Sequence, residues 1–209
     1  MISWVVLSKT RVELTPGSLR AHLDRLYPGH FLPPQELRNF VVEGPVLDVQ
    51  FLIQASVPGS AGLYMLQSIA AGSTGFSEFA DDIDDPALRA LIFEQQAWLS
   101  VDVIDAAVDQ DCRRFIGKVL AELAPADSAI LADPDRRTAI RFDEQVRGQL
   151  AREELPGSLR RICSPHRLNN PMISAFASVL KCRLKPTTAA DVSAFTSSLS
   201  AFTANTVNR

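Results

Sequence analysis

The stretch QQAWLSVDVIDAAVDQDCRRFIGKVLAEL, Gln95 to Leu123, decides the fold. Its front part, Ala97–Ile104, is rich in β-branched and aromatic residues and predicts a strand. From about Ala107 to Leu123 the period changes. Val108, Cys112, Phe115, Ile116, Val119, Leu120 and Leu123 fall on one stripe, which predicts an amphipathic helix with that stripe against a sheet. Four acids punctuate the junction: Asp102 within the strand, then Asp105, Asp109 and Asp111. A divalent metal needs several oxygens converging from rigid elements, and Asp102, Asp105 and Asp109 could supply them at the strand's end. The simpler account makes Asp105 the helix N-cap, with Asp109 and Asp111 favourable near the positive end of the helix dipole. The glycine and glutamate of an EF-hand loop do not follow Asp102.

Upstream, Ser3–Ser8 predicts a first strand, and Thr15-Pro16 an N-cap and first-turn proline for a helix reaching about Tyr27. Strands are expected at Asn39–Glu43, Asp48–Ser56 and Gly62–Ile69, separated by Gly44-Pro45 and Pro58-Gly59 turns. A short helix around Ser77–Ala80 precedes a second over Pro86–Gln96, which Asp84-Asp85 introduces. Downstream, Asp127–Ala132 and Thr138–Phe142 read as strands joined by Asp133-Pro134-Asp135, and Asp143–Glu154 as a last helix. Runs of strands with helices inserted between them predict an α+β fold: a mixed, antiparallel-rich sheet with helices mainly on one face.

Composition changes near residue 163. From Cys163 to Arg209 five Lys/Arg meet one acid, Asp191, giving +4 and leaving −7 for the rest of a chain whose net charge is −3. Twelve Ser/Thr fall in the same segment, and Ala189–Phe202 keeps only a weak helical stripe. The expected organisation is a globular domain over 1–162 and a loosely structured, weakly helical appendage over 163–209.

Bulk properties narrow the function. With 209 residues, a net charge of −3 and mean hydropathy of +0.06, the chain has the composition of a globular protein and no positive surface for a polyphosphate. No nucleic-acid or membrane partner is expected, and the apolar start ends at Leu7, short of a secretory signal. Cys112, Cys163 and Cys182 are odd in number and widely spaced, which predicts free thiols in the cytoplasm. His22, His30 and His166 form no metal-binding pair. Nucleophile-elbow and phosphate-cradle motifs are missing, and the Ala71–Gly75 loop lacks the lysine of a P-loop. DDIDDP, Asp81–Pro86, reads as a solvated, capping run.

The segments LRALIFEQQAWLSVDVI and CRRFIGKVLAELAPADSAILADPDRRTAIRFDEQV, within 88–147, resemble a group of uncharacterised bacterial proteins of unknown function. Those carry an A-W-L-S-V-D strand and an I-G-K-x-x-A-E-L helix. Their pattern often has a histidine before A-W, where this chain has Gln95-Gln96. The resemblance implies support for the fold and transfers no catalytic residue.

The reading is a non-catalytic protein-interaction or regulatory module, of which an immunity-like module is one variety. It has an unknown protein partner and needs no cofactor. One alternative is a metal-dependent hydrolase using Asp102, Asp105 and Asp109. The other is a small-molecule-binding domain with its crevice near Gly72–Phe76.

Overall fold

The N-terminal strand, β1 (Ser3–Ser8), is buried along its whole length, because it lies inside a sheet rather than at its edge. The structure is a computed structural model that describes residues 2–36, 49–70, 76–106, 110–134, 136 and 138–157. The expected Asn39–Glu43 strand, the Ala71–Gly75 loop, Asp109 and the appendage from Cys163 lie outside those residues.

After β1 the chain forms α1 (Pro16–Leu26), β2 (Gln35–Glu36), β3 (Val49–Ala55), β4 (Gly62–Ala70), α2 (Phe76–Asp81) and α3 (Pro86–Phe93). Then come β5 (Ala97–Ala106), α4 (Gln110–Leu123), β6 (Ile130–Asp133), β7 (Thr138–Arg141) and α5 (Glu144–Ala151). Local chemistry sets several boundaries. Thr15 and Ser18 make a reciprocal capping box at α1, and Pro16 occupies the first turn. Asp85 and Asp143 cap α3 and α5 by accepting from backbone amides. Val57-Pro58-Gly59-Ser60 closes the β3–β4 hairpin with Gly59 at φ +78, and Ser60 N donates to Val57 O at 2.9 Å.

Among the described residues seven strands pair in the order β2-β3-β4-β5-β1-β6-β7, every pairing antiparallel. Strands β5 and β6 flank β1 and both oppose it, so they are parallel to each other. Helix α4 makes the connection between them, which creates a split β-α-β unit with β1 in its middle.

Period-two alternation sorts the core into two layers. Trp4, Val6, Leu99, Val101, Leu66, Tyr64, Phe51 and Leu131 pack beneath α1, α4 and α5. Val5, Leu7, Ile130 and Ala132 point the other way, against Phe79, Ala80, Ile83 and Ile92 of the α2–α3 region. The fold is therefore α+β with three of its five described helices on one face. The stripe on α4 is buried as its spacing predicts, from Cys112 through Leu123. Gly117 lets α4 approach closest: a Cβ there would meet Leu150 Cδ2 at 2.7 Å and the Trp4 ring at 3.1 Å.

Strand β5 extends beyond the expected Ile104, to Ala106. Ladder register explains why. Val103 pairs with Tyr64 and Asp105 with Leu63, so Ile104 is the extra residue of a β-bulge and pairing resumes after it. Asp105 is thus a strand residue, not the N-cap of α4, and Asp111 alone of the described acids sits in that helix's first turn.

Candidate functional site

Asp102 is the candidate the sequence singled out, and β5 places it near the centre of the sheet, 2% exposed. It points away from α4, on the same side as Ser100, because both alternate with Leu99, Val101 and Val103. Gln67 Nε2 on β4 donates to Asp102 Oδ2 at 2.9 Å, and Ser100 Oγ donates to the same oxygen at 3.1 Å. Ser3 on β1 is its cross-strand neighbour. Gln67, Ser100 and Ser3 are all buried too. The result is a polar patch on three central strands, beside the apolar half of that face beneath α2 and α3. A carboxylate here must keep its donors, since burying one unpaired costs several kcal/mol.

Asp105, the second candidate, is exposed, and Asp109 falls outside the described residues. Asp111 Oδ1 accepts from Arg114 Nη1 at 2.6 Å on the surface of α4. Among the described residues no three His, Cys, Asp or Glu side chains come together as a metal site would require. In DDIDDP, Asp85 caps α3, Ile83 is core, and Asp81, Asp82 and Asp84 are exposed.

The acid that sequence reasoning missed is Asp133, read there as a turn residue. At the end of β6 it is 1% exposed. Trp4 Nε1 donates to Asp133 Oδ2 at 3.0 Å, Arg113 Nη1 donates to that oxygen at 3.1 Å, and the Arg136 backbone N–H reaches Oδ1 at 3.1 Å. One carboxylate thus ties β1, α4 and the β6–β7 turn together. An acid ending a strand, with two nearby arginines, was the only signal in the sequence.

Arg147 on α5 also has a specific role. Its guanidinium donates to Ala121 O (3.1 Å), Ala124 O (2.9 Å) and Pro125 O (2.6 Å), and lies 4.9 Å from the Phe142 ring centroid. It satisfies the orphan carbonyls at the negative end of α4.

On the outer surface of the helical layer, Glu153 Oε1 accepts from Lys118 Nζ at 2.7 Å and from Tyr27 Oη at 2.8 Å. The ammonium also sits 4.3 Å from the Tyr27 ring centroid. Glu153 takes the left-handed position after α5, φ +61, where glycine is usual. Glu153 N donates to Leu150 O and Glu154 N to Gln149 O, which completes a Schellman cap. Its carboxylate offsets the backbone strain by joining α1, α4 and α5. Hydrogen bonding from Lys118, then Tyr27, holds Glu153 below the ordinary carboxylate value. Burial, then Glu153, pushes the Tyr27 phenol above its ordinary 10.0.

His22 is a partner in a second surface network. Its Nδ1 lies 2.7 Å from Glu122 Oε1, and Arg25 Nη2 donates to the same oxygen at 2.7 Å. Burial pulls Glu122 upward, but the bonds from His22 and Arg25 together outweigh it and hold the carboxyl below its usual 4.5. Both lowered carboxyls favour the folded state when ionised. Their contribution is whole above pH 4.5 and is lost as pH falls through the lower folded values. The urea midpoint should therefore drop between pH 5 and pH 3, and Glu153→Gln should flatten part of that drop. A wild-type midpoint unchanged across this interval would contradict the assignment.

Cys112 is a fully buried thiol, with Tyr64 Oη 3.7 Å from its sulfur, so it fills core space. His30 lies in a loop with Nδ1 3.3 Å from Ser56 O. Among the described residues no helix is long and apolar enough to cross a membrane. No family model, curated protein or solved structure matches this chain, so its own geometry carries the functional reading.

Proposed function

We propose that the chain is a non-catalytic module that works by protein contact, regulatory in character and of the kind an immunity protein exemplifies, in the cytoplasm of a bacterium. One observation carries this reading. Asp102, the acid best placed by the sequence for chemistry, is 2% exposed and already accepts from Gln67 and Ser100. A general base or metal ligand has to meet a substrate or ion, whereas a sequestered, doubly bonded carboxylate specifies strand packing. Asp133 follows the same logic with Trp4 and Arg113. The buried, reduced thiol of Cys112 suits a reducing compartment.

The test is purification of the full chain from its native host at low salt, followed by gel filtration. A partner co-eluting in fixed stoichiometry, and released by salt, is the expected result. Repeated elution of the chain alone at its own mass would sink the proposal.

A further inference from the structure

Helix α3 buries Ile92, packs half-buried Leu88 and Leu91 beside it, and turns Pro86, Ala87, Ala90 and Phe93 outward. The outward set has helical spacing: Pro86, Ala90 and Phe93 stand at i, i+4 and i+7. Phe93 is 57% exposed, one of two large hydrophobic side chains so exposed among the described residues. The other, Leu32 at 55%, stands in a loop with no such stripe around it. Isolated exposed apolar residues are ordinary, but an exposed phenyl ring in line with Pro86 and Ala90 on one helix face offers apolar contact to an anchor.

The residues bordering that face form an acidic rim. Asp81, Asp82, Asp84 and Asp85 are exposed at its N-terminal side, and Glu94 at its C-terminal side pairs with Lys9 at 3.5 Å. Arg89 is turned back to Ile83 O, which Nη2 meets at 2.8 Å. The charge excludes three occupants. A second copy would bring the same acids together within a Debye length of about 10 Å. Nucleic acid and anionic lipid would be repelled likewise.

We infer that the outer face of α3 is a docking surface for a basic, amphipathic segment of a partner protein. An apolar side chain of that segment packs on Phe93 while its lysines or arginines meet the acidic rim. The inference rests on the contact reading above and assigns it a surface and a partner chemistry.

The experiment titrates the isotope-labelled full chain with three synthetic probes and follows backbone amide shifts. They are an amphipathic lysine–leucine peptide, its glutamate–leucine counterpart, and an oligolysine without apolar residues. The lysine–leucine peptide should move the amides of Ala87, Ala90 and Phe93 and weaken as salt rises. The other two should bind at least about tenfold more weakly, since each lacks one half of the complementarity. Phe93→Ala should weaken the lysine–leucine peptide by about tenfold without unfolding the chain, because the ring is exposed. Asp81→Asn with Asp84→Asn should weaken it and flatten its salt dependence. Shifts centred away from α3, equal binding of the acidic peptide, or full affinity in Phe93→Ala would overturn the surface. A native partner that binds Phe93→Ala at full affinity would overturn the surface while leaving the contact reading in place. Absence of any native partner would fall on the contact reading instead.

Discussion

Replacing Asp133 with alanine should destabilise the protein by about 3–5 kcal/mol, the usual consequence of removing one partner of a buried charge pair. The carboxylate is 1% exposed and collects Trp4 Nε1, the Arg113 guanidinium and the Arg136 amide. Without it, Arg113, whose side chain is 15% exposed, retains its charge next to the core with no counter-ion in reach from β6. Urea denaturation at pH 7 measures the loss as a lower midpoint with an unchanged slope. Replacing Asp133 by leucine together with Arg113→Met should recover most of it, because the uncompensated charge goes as well. A single Asp133→Ala variant as stable as wild type would show that the carboxylate is not the joint described.

Trp4→Ala should have an effect of similar size, about 3–5 kcal/mol, for a different reason. The indole is 1% exposed at the centre of the larger core, with its ring against the α-carbon of Gly117. Alanine would leave a cavity that α4 cannot close, since Leu150 and Phe115 are held by their own neighbours in that core. Trp4→Phe keeps most of the volume and removes the donor to Asp133, so it should cost only about 1–2 kcal/mol. The two sites share a hydrogen bond, so the double variant Trp4→Ala, Asp133→Ala should lose less than the sum of the single losses. Strict additivity in that cycle would contradict a direct Trp4–Asp133 bond.

Periodicity and punctuation made most of the fold legible. The α4 stripe, the β-branched and aromatic run of β5, Thr15-Pro16 and Pro58-Gly59 each name a local structure, and each is found where expected. Sheet order was not legible, because no local pattern states that β1 slots between β5 and β6. The bulge at Ile104 was hidden for a related reason: it is a mismatch between two strands and has no signature within one. That hidden residue is why Asp105 looked like a helix cap and is in fact a strand residue.

The polar residues divide along the same line. Asp85 was readable as a cap because its partners, Ala87 and Leu88, follow it directly. Asp133 and Arg147 were not, since, apart from the Arg136 amide on Asp133, their partners stand 20 to 129 residues away. Distant pairing also changes the meaning of Asp102. Seen in one strand it is an acid available for chemistry; with Gln67 of β4 beside it, it is half of a buried cross-strand bond.

Asp102, held by Gln67 and Ser100, serves the fold. Melting temperatures of wild type and Asp102→Asn, measured with and without magnesium, manganese, calcium or zinc ions, distinguish that role from metal binding. Asp102→Asn should melt at a lower temperature, with no saturable, Asp102-dependent rise for any of the four ions. A saturable rise in wild type that Asp102→Asn abolishes would contradict that role and identify a metal centre instead.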